Sequence, residues 1–263
     1  MVMSQGADLR RVCTVRPLPK GKKSVSFPLY GAVTAASVAE ATDLTNTAVS
    51  TTTSEVTPSE YGVMTTLTDV ADWESNPAQV GADIGKLFGE AIRDIRNQTI
   101  WALFDGFSTS VGTTNTDITE ALVLSAVRNL KSAKCPGPYY MPITPHVMED
   151  LMGLYSTSTS FTAEAIRNAV LENGILPPIY GVIPLVIDNL ASGTSSGQRD
   201  SADAKCAVLS PRALGFVEGY DIRIETERDA SLRATEIVAT SFFGVAEIKD
   251  DYGVELLVDN KDA

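Results

Sequence analysis

One long amphipathic helix constrains the fold of this chain more than any other feature of its sequence. Asn76 can cap the first turn, Pro77 suits the first helical position, and Gly106 follows a predicted last turn at Asp105. Apolar residues recur at steps of three and four, and charged residues occupy the other faces. The apolar set is Val80, Ile84, Leu87, Phe88, Ala91, Ile92 and Ile95, and the charged set is Asp83, Lys86, Glu90, Arg93, Asp94 and Arg96. At about 1.5 Å per residue the helix would run roughly 43 Å, so we interpret it as a spine.

Three glycines mark one face of this helix. Gly81, Gly85 and Gly89 are spaced four residues apart. This spacing also occurs where membrane helices pair, but the interleaved charges of Asp83 and Lys86 exclude that interpretation. Because a face without side chains lets a second backbone approach, the glycines predict a close packing contact.

The segment before the spine helix predicts an extended arm and then a projecting hairpin. The prolines and glycine of Arg16–Lys23 oppose helix, so we expect residues 1–24 to form an arm, or a disordered tail in the isolated subunit. Val25–Tyr30 and Tyr61–Leu67 have the composition of strands. We expect these two strands to pair, with the polar segment Thr42–Pro58 between them as a long tip. An isolated hairpin is marginal in water, so it must lie against something else.

Residues 117–214 alternate between helix and strand, and residues 215–263 are rich in strand, which indicates an α+β fold. Predicted helices cover Ile118–Ser132, Thr144–Leu151 and Thr162–Glu172. Predicted strands cover Tyr139–Ile143, Pro184–Asp188, Ala207–Leu209, Asp221–Glu225, Leu232–Phe243 and Val254–Val258. Ala191–Ala204 has no apolar residue larger than alanine and predicts an exposed loop. The alternation of isoleucine with charge in Asp221–Glu225 predicts one face in water and one covered face.

Charge is distributed unevenly along the 263 residues, whose formal net charge is −12. Residues 1–23 contain six basic residues and the single acid Asp8, a balance of +5, so the remainder carries −17. Such an acidic body argues against general nucleic-acid binding. Residues 24–85 contain eight acids and no base, and we expect the basic arm to pair with this surface on adjacent subunits. Packaged DNA is the rival partner for the arm.

The sequence has no recognisable catalytic or metal-binding constellation. His146 is the only histidine and lies just inside a predicted helix start, without the partners that a hydrolase needs. The acid pairs Glu149-Asp150 and Asp250-Asp251 have no calcium-loop spacing and are interpreted as solvated charge. Three dispersed cysteines (Cys13, Cys135 and Cys206) suit a reducing compartment and lack metal-ligand spacing. No apolar run is long enough to span a membrane, and no signal peptide is recognisable, so we expect the chain to stay in the cytoplasm.

The order of these elements resembles the major capsid proteins of tailed bacteriophages, which have the Hong Kong 97 capsid fold. The motifs that carry the resemblance are Ser59–Val63 with Leu67–Asp69, Asp83–Glu90 with Leu103–Gly106, Ile179–Val186, and Arg233–Val258. Each motif is weak by itself, and their order over nearly the whole chain carries the likeness. The resemblance implies an N-terminal arm at 1–24, an E-loop at 25–75, a P-domain at 76–116 and 215–263, and an A-domain at 117–214.

The resemblance also implies a structural protein of the virion that is not an enzyme and has no cofactor, no metal and no catalytic residue. Its implied partners are copies of itself in hexamers and pentamers, a portal, a decoration protein, and packaged DNA bound without sequence specificity. Relatives with a built-in scaffold carry a long helical segment before the arm, so we expect a separate scaffolding protein or none. Some members join an E-loop lysine to a neighbour's asparagine. No lysine lies between Lys23 and Lys86, so we expect non-covalent contacts alone.

Two other classes of protein fit parts of the pattern. An encapsulin-like nanocompartment shell shares the fold and a similar length, but encapsulins tend to begin with a helix where this chain has an arm punctuated by proline. A cytosolic α/β enzyme would need a histidine, cysteine or metal constellation that the sequence does not offer. The neighbouring genes would distinguish a nanocompartment shell from a capsid protein. Electron microscopy of the purified protein would distinguish an enzyme from either shell protein.

Overall fold

The computed structural model describes residues 8–41, 43–44, 46–74, 77–114, 116–157, 176–187 and 203–259. The helices are α1 (Asp69–Glu74), α2 (Pro77–Trp101), α3 (Glu120–Ser132) and α4 (Pro145–Thr157). The strands are β1 (Thr14–Pro17), β2 (Val25–Tyr30), β3 (Thr51–Val56), β4 (Ser59–Thr68), β5 (Ser110–Gly112), β6 (Tyr139–Ile143), β7 (Val182–Val186), β8 (Asp203–Leu209), β9 (Leu214–Asp229), β10 (Ala234–Glu247) and β11 (Gly253–Asp259). Turns of 3-10 helix cover Leu9–Val12, Phe104–Gly106 and Asp250–Tyr252.

The strands of the described residues form three sheets. A four-stranded sheet has the order β1-β9-β10-β4, in which β1 is parallel to β9 and the other pairs are antiparallel. A five-stranded sheet has the order β5-β11-β8-β6-β7, and β2 pairs with β3 alone. Two strands from segments implied as P-domain, β5 and β11, therefore lie in the same sheet as the strands of 117–214. The domain boundaries in sequence and the sheet boundaries in space do not coincide.

Most of the predicted elements are confirmed. Helix α3 begins one residue after Thr119, whose side chain accepts a hydrogen bond from the Leu122 amide, and its apolar side packs onto the five-stranded sheet. The predicted strands in 139–143, 184–188, 207–209 and 215–263 are present, with β8 to β10 longer than expected. Helix α4 extends past Leu151 to Thr157. The predicted helix Thr162–Glu172 and most of the predicted loop Ala191–Ala204 lie outside the described residues.

The spine helix is confirmed, although it is shorter than predicted and only half covered. It ends at Trp101 instead of Asp105, because a 3-10 turn at Phe104–Gly106 directs Phe104 and Phe107 together into the core. The turns towards its C-terminus bury Ile100 and Trp101 completely. Leu87, nearer the N-terminus, remains 55% exposed. The subunit therefore presents part of an apolar stripe to the outside.

The glycine face of the spine helix makes no close contact within the described subunit. A Cβ atom added at Gly81, Gly85 or Gly89 would have no atom within 4 Å outside the local helix. The predicted close packing is thus absent among the described residues, because the sheet packs against a different stripe of α2.

This open face leads to a stability prediction. Gly85→Ala should raise the free energy of unfolding of the isolated subunit by about 0.5–1 kcal/mol, because alanine restricts the unfolded chain and meets nothing in the folded one. The reciprocal change at an exposed position of the same helix, Ala82→Gly, should lower it by a similar amount. Urea unfolding of both variants measures this. A loss of stability in Gly85→Ala would show that this face is occupied in the folded subunit.

The N-terminal arm is not a free extension over residues 9–17, so that expectation is wrong there. Leu9 and Val12 are fully buried in the main core, and the Leu9 amide donates to Asn97 Oδ1 on the spine helix over 2.9 Å. Strand β1 follows and pairs with β9, with Thr14 opposite Gly215. The segment around Pro17 and Pro19 contains no helix, as predicted, but Leu9 and Val12 dock on the body before it.

The hairpin is confirmed, but its predicted strand partner is wrong. Strand β2 pairs antiparallel with β3. The register of this pair runs from Val25 opposite Val56 to Tyr30 opposite Thr51. The strand predicted as its partner, β4, pairs instead with β10 along ten residues. Residues 31–50 form the tip and contain no strand or helix where they are described. The body captures β4 because β4 alternates over its whole length and so covers a long sheet edge.

Candidate functional site

The residues considered for catalysis do not come together in the described structure. His146 is half-buried in the first turn of α4, one turn from Asp150. Burial raises the pKa of Asp150, and the nearby His146 opposes that shift. Asp250, of the second acid pair, accepts hydrogen bonds from the Ser108 amide and hydroxyl, which makes it part of a turn. Within the described ranges, no three histidine, cysteine or acidic residues are placed to hold a metal ion.

The three cysteines are buried thiols, as expected. Burial raises the pKa of Cys206 to about 12 and that of Cys13 further still. A thiol with so high a pKa stays protonated and is a poor nucleophile. None of the described helices is both long enough and apolar enough to cross a bilayer.

Arg96 joins the spine helix to the arm and to the four-stranded sheet. It is only 5% exposed, and its guanidinium contacts Asp221 Oδ1 at 2.7 Å and Asp8 Oδ2 at 3.4 Å. The same group lies 5.8 Å from the ring centre of Phe216 and 5.7 Å from that of Phe243, and those rings stack on each other. Cation–π attraction and charge pairing therefore act at one point. The helical spacing predicted Arg96 on a charged outer face, and that prediction is wrong.

A second arginine attaches the arm to the same sheet. Arg10 Nη2 lies 2.6 Å from Glu218 Oε2, and its guanidinium lies 5.6 Å from the ring centre of Phe216. Farther along the arm, Arg16 lies over the Phe27 ring at 4.5 Å and donates to the Ser26 carbonyl. Two of the arm's basic residues are thus engaged within their own subunit.

Some of the acids in the stretch 24–85 also have partners within the chain. Asp69 forms two hydrogen bonds with Arg228, at 2.6 and 2.7 Å, and this arginine lowers the pKa of Asp69. Glu60 accepts a hydrogen bond from the Tyr220 hydroxyl at 2.6 Å. The expectation that this whole surface needs an outside partner is therefore wrong for Asp69, at the far end of β4.

Most of the exposed large apolar side chains lie in two regions, which are the candidate interaction surfaces. The hairpin and its tip expose Tyr30, Val33, Val38, Leu44 and Val49. The far end of the four-stranded sheet and α1 expose Met64, Val70, Trp73, Ile222, Ile224 and Leu232. The predicted covered face of Asp221–Glu225 is thus uncovered in the single subunit. Exposed apolar groups this numerous indicate surfaces that bind other proteins.

A groove lies between the hairpin foot and the body. It encloses about 620 Å³. One wall is residues 27–32, from β2 and the segment after it, and the other is residues 248–252, which follow β10. Its charged lining consists of Arg16, Arg212, Lys249 and Asp251. No local sequence pattern indicates this groove, because its walls come from five separate segments of the chain.

Comparison with known proteins gives one family and many similar structures. A family model described as phage capsid protein matches residues 50–255. No curated protein sequence matches the chain. Three similar structures are the capsid of Cyanophage P-SCSP1u, Mycobacterium phage Che8, and the acid-stable capsid of Helicobacter pylori bacteriophage KHP30.

These three structures share the fold at low sequence identity. The cyanophage capsid is 16% identical with a TM-score of 0.73, covering 99% of this chain and 91% of that one. The Mycobacterium phage chain is 18% identical with a TM-score of 0.68, at coverages of 89% and 84%. The Helicobacter phage capsid is 10% identical with a TM-score of 0.73, at coverages of 97% and 89%. The chain therefore has the Hong Kong 97-type fold that its element order resembled.

Proposed function

The chain belongs to the phage capsid protein family, and we propose that it is the major capsid protein of a tailed bacteriophage, whose copies form hexamers and pentamers of an icosahedral shell around double-stranded DNA. In this proposal residues 1–24 are the arm, 25–75 the E-loop, 76–116 with 215–263 the P-domain, and 117–214 the A-domain. Strand β11 pairs with β8 on one side and with β5 on the other, so these two P-domain strands share a sheet with the strands of the A-domain segment.

The observation that carries the proposal is the exposure of apolar residues on projecting elements. Leu44 on the hairpin tip is 81% exposed and Trp73 on α1 is 90% exposed. A soluble monomer with such surfaces would leave them in water, whereas a closed shell gives every copy a neighbour to cover them. Two separate surfaces on one subunit suit a repeating head-to-tail contact.

The other partners follow from the family and from the charge of the chain. We propose a separate scaffolding protein, a portal and a decoration protein, with assembly in the host cytoplasm. We also propose that the inner face contacts packaged DNA without sequence specificity. The net charge of −12 supports weak contact of this kind. The cation–π and ion-pair contacts of Arg10 and Arg16 support a structural role for the arm in the subunit.

Electron microscopy tests the function directly. The chain, expressed alone and with the genes that neighbour it, should give uniform large shells in negative stain. Small soluble oligomers in both preparations would contradict a capsid function. Shells filled with a cargo enzyme in place of DNA would identify a nanocompartment.

The shell should contain no covalent links between subunits. The hairpin offers no amine, because no lysine lies between Lys23 and Lys86. Mature particles boiled in detergent and reductant should release one band near 28.0 kDa. A ladder of covalent oligomers would show that another lysine reaches a neighbour.

The hairpin tip should become protected from hydrogen exchange only on assembly. Residues 31–50 form no strand or helix where they are described, and few of their side chains are buried. We expect fast exchange there in soluble subunits and slow exchange in shells, because neighbouring copies supply the missing contacts. Strand β8, within the five-stranded sheet, is the internal control and should be protected in both states. Equal protection of residues 31–41 in the two states would contradict an E-loop role.

A further inference from the structure

The groove at the hairpin foot combines positive charge with aromatic rings. Phe27 forms its buried floor, and Tyr30 and Tyr252 add further rings to its lining. Arg16, Arg212 and Lys249 line it against the single carboxylate of Asp251. Such a lining attracts a segment that carries both carboxylates and an apolar ring.

The cations of this groove lack carboxylate partners of their own. The Lys249 ammonium lies 4.0 Å from the ring centre of Tyr252, and Arg16 lies over Phe27. Among the described residues, Arg16, Arg212 and Lys249 form no ion pair. Their charge is therefore available to an incoming anionic group.

Helix α1 has the complementary chemistry. Its sequence Asp-Val-Ala-Asp-Trp-Glu carries three acids and no base. Trp73 is 90% exposed and Val70 is 66% exposed, so the described residues of the subunit leave both side chains largely uncovered. The paired hydrogen bonds between Asp69 and Arg228 fix the start of the helix on β9. Helix α1 is thus an anchored acidic knob with a tryptophan at its end.

The knob cannot fill the groove of its own subunit. The Asp69 amide donates to the Arg233 carbonyl, just before β10 begins, whereas the groove contacts Ile248, just after β10 ends. At about 3.3 Å per residue, the 14 residues of β10 span roughly 45 Å. Contact between the two surfaces therefore requires a second copy of the chain.

We propose that α1 of one subunit docks in the hairpin-foot groove of a neighbouring copy, with Trp73 against the aromatic rings and the Glu74 carboxylate facing Arg16, Arg212 and Lys249. The inference rests on the proposed self-assembly and adds a specific contact to it. Because knob and groove are different surfaces of one subunit, the contact repeats from copy to copy around a ring. Its charged part weakens as ionic strength rises.

Tryptophan fluorescence tests the contact in the unmodified protein. The chain has two tryptophans, and Trp101 is fully buried while Trp73 is exposed. In soluble subunits, acrylamide should quench the Trp73 emission, which Trp73→Phe subunits identify by subtraction. In shells the quenching of Trp73 should fall at least fivefold. A Trp73 that stays quenchable in shells overturns the proposal.

Disulfide trapping identifies the surface that covers the tryptophan. Thr52 lines the groove, and Glu74 adjoins Trp73, so the variant Glu74→Cys with Thr52→Cys should give a ladder of oligomers in mildly oxidised shells and none in soluble subunits. The native cysteines are buried and do not compete. The control is Glu74→Cys with Lys131→Cys, at an exposed site on α3.

Each result of these experiments decides between the contact and its alternatives. A ladder in the groove pair alone supports the contact, whereas equal ladders in both pairs, or none in shells that do form, overturn it. If the cysteine variants fail to assemble, unchanged quenching of Trp73 in wild-type shells still overturns the contact. Absence of wild-type shells under every condition would instead overturn the proposed function, and the contact with it.

Discussion

Replacing Gly112 by alanine is expected to lower the free energy of unfolding of the subunit by about 3–4 kcal/mol. Gly112 ends β5 with a φ of +97°, in the region where side chains are strained. A Cβ atom there would also overlap the carbonyl oxygen of Leu257 on the paired strand β11. The backbone must shift to relieve this overlap, and the shift would disturb the edge of the five-stranded sheet.

A second glycine separates the two causes. Gly181 has a φ of +82°, but a Cβ atom there would have nothing within 4 Å. Gly181→Ala should therefore cost only the backbone strain, about 1 kcal/mol. Urea unfolding of the two variants, followed by circular dichroism, measures the difference. Equal losses would mean that β11 yields freely at Leu257 and that overlap contributes little.

Arg96→Ala is expected to lower the free energy of unfolding by about 2–4 kcal/mol. The change removes two ion pairs and the cation that contacts the rings of both Phe216 and Phe243, and it leaves a void under the arm. Asp8 and Asp221 keep partial access to water, so neither becomes a stranded buried charge. That access limits the loss.

Two further variants identify what Arg96 contributes. Lys86→Ala, on the exposed face of the same helix, should change stability by no more than about 0.5 kcal/mol. Arg96→Lys keeps the charge but loses the planar group that contacts both rings and both acids, so its loss should lie between the other two. Unfolding in urea at two salt concentrations measures all three. An unchanged midpoint in Arg96→Ala would show that the arm docks through Leu9 and Val12 alone.

Local sequence patterns correctly predicted whether a segment is helix or strand where that choice does not depend on which element it packs against. The spine helix follows from its apolar spacing, and β9 to β11 follow from alternation and turn residues. The pairing of β2 was mispredicted because Thr51–Val56 has only one apolar residue, whereas Tyr61–Leu67 has the stronger strand pattern. Pairing is decided by long-range competition for the edge of β10, which no short window contains.

The candidate surfaces were less accessible to sequence reasoning than the elements were. Arg96 and Asn97 appear as polar residues on a helix, and nothing local reveals that the arm and two phenylalanines enclose them. Trp73 is a large apolar residue, and its sequence neighbours do not reveal that the folded subunit leaves it exposed. The groove exists only where β2 and the residues that follow β10 come together. The absence of lysine from the hairpin, by contrast, is complete in the sequence itself.

The position of β11 determines when a newly made subunit can be finished. This last described strand does not join the edge of the five-stranded sheet; it lies between β5 and β8, which come from segments about 140 and 50 residues earlier. At a synthesis rate of about 5–20 residues per second, β5 waits roughly 7–30 s for its only partner in the sheet. Until β11 has been synthesised, the nascent chain therefore lacks the completed sheet on which α3 packs. Association of native-like copies must wait for the same strand, since the subunit acquires its shape only after β11 has entered.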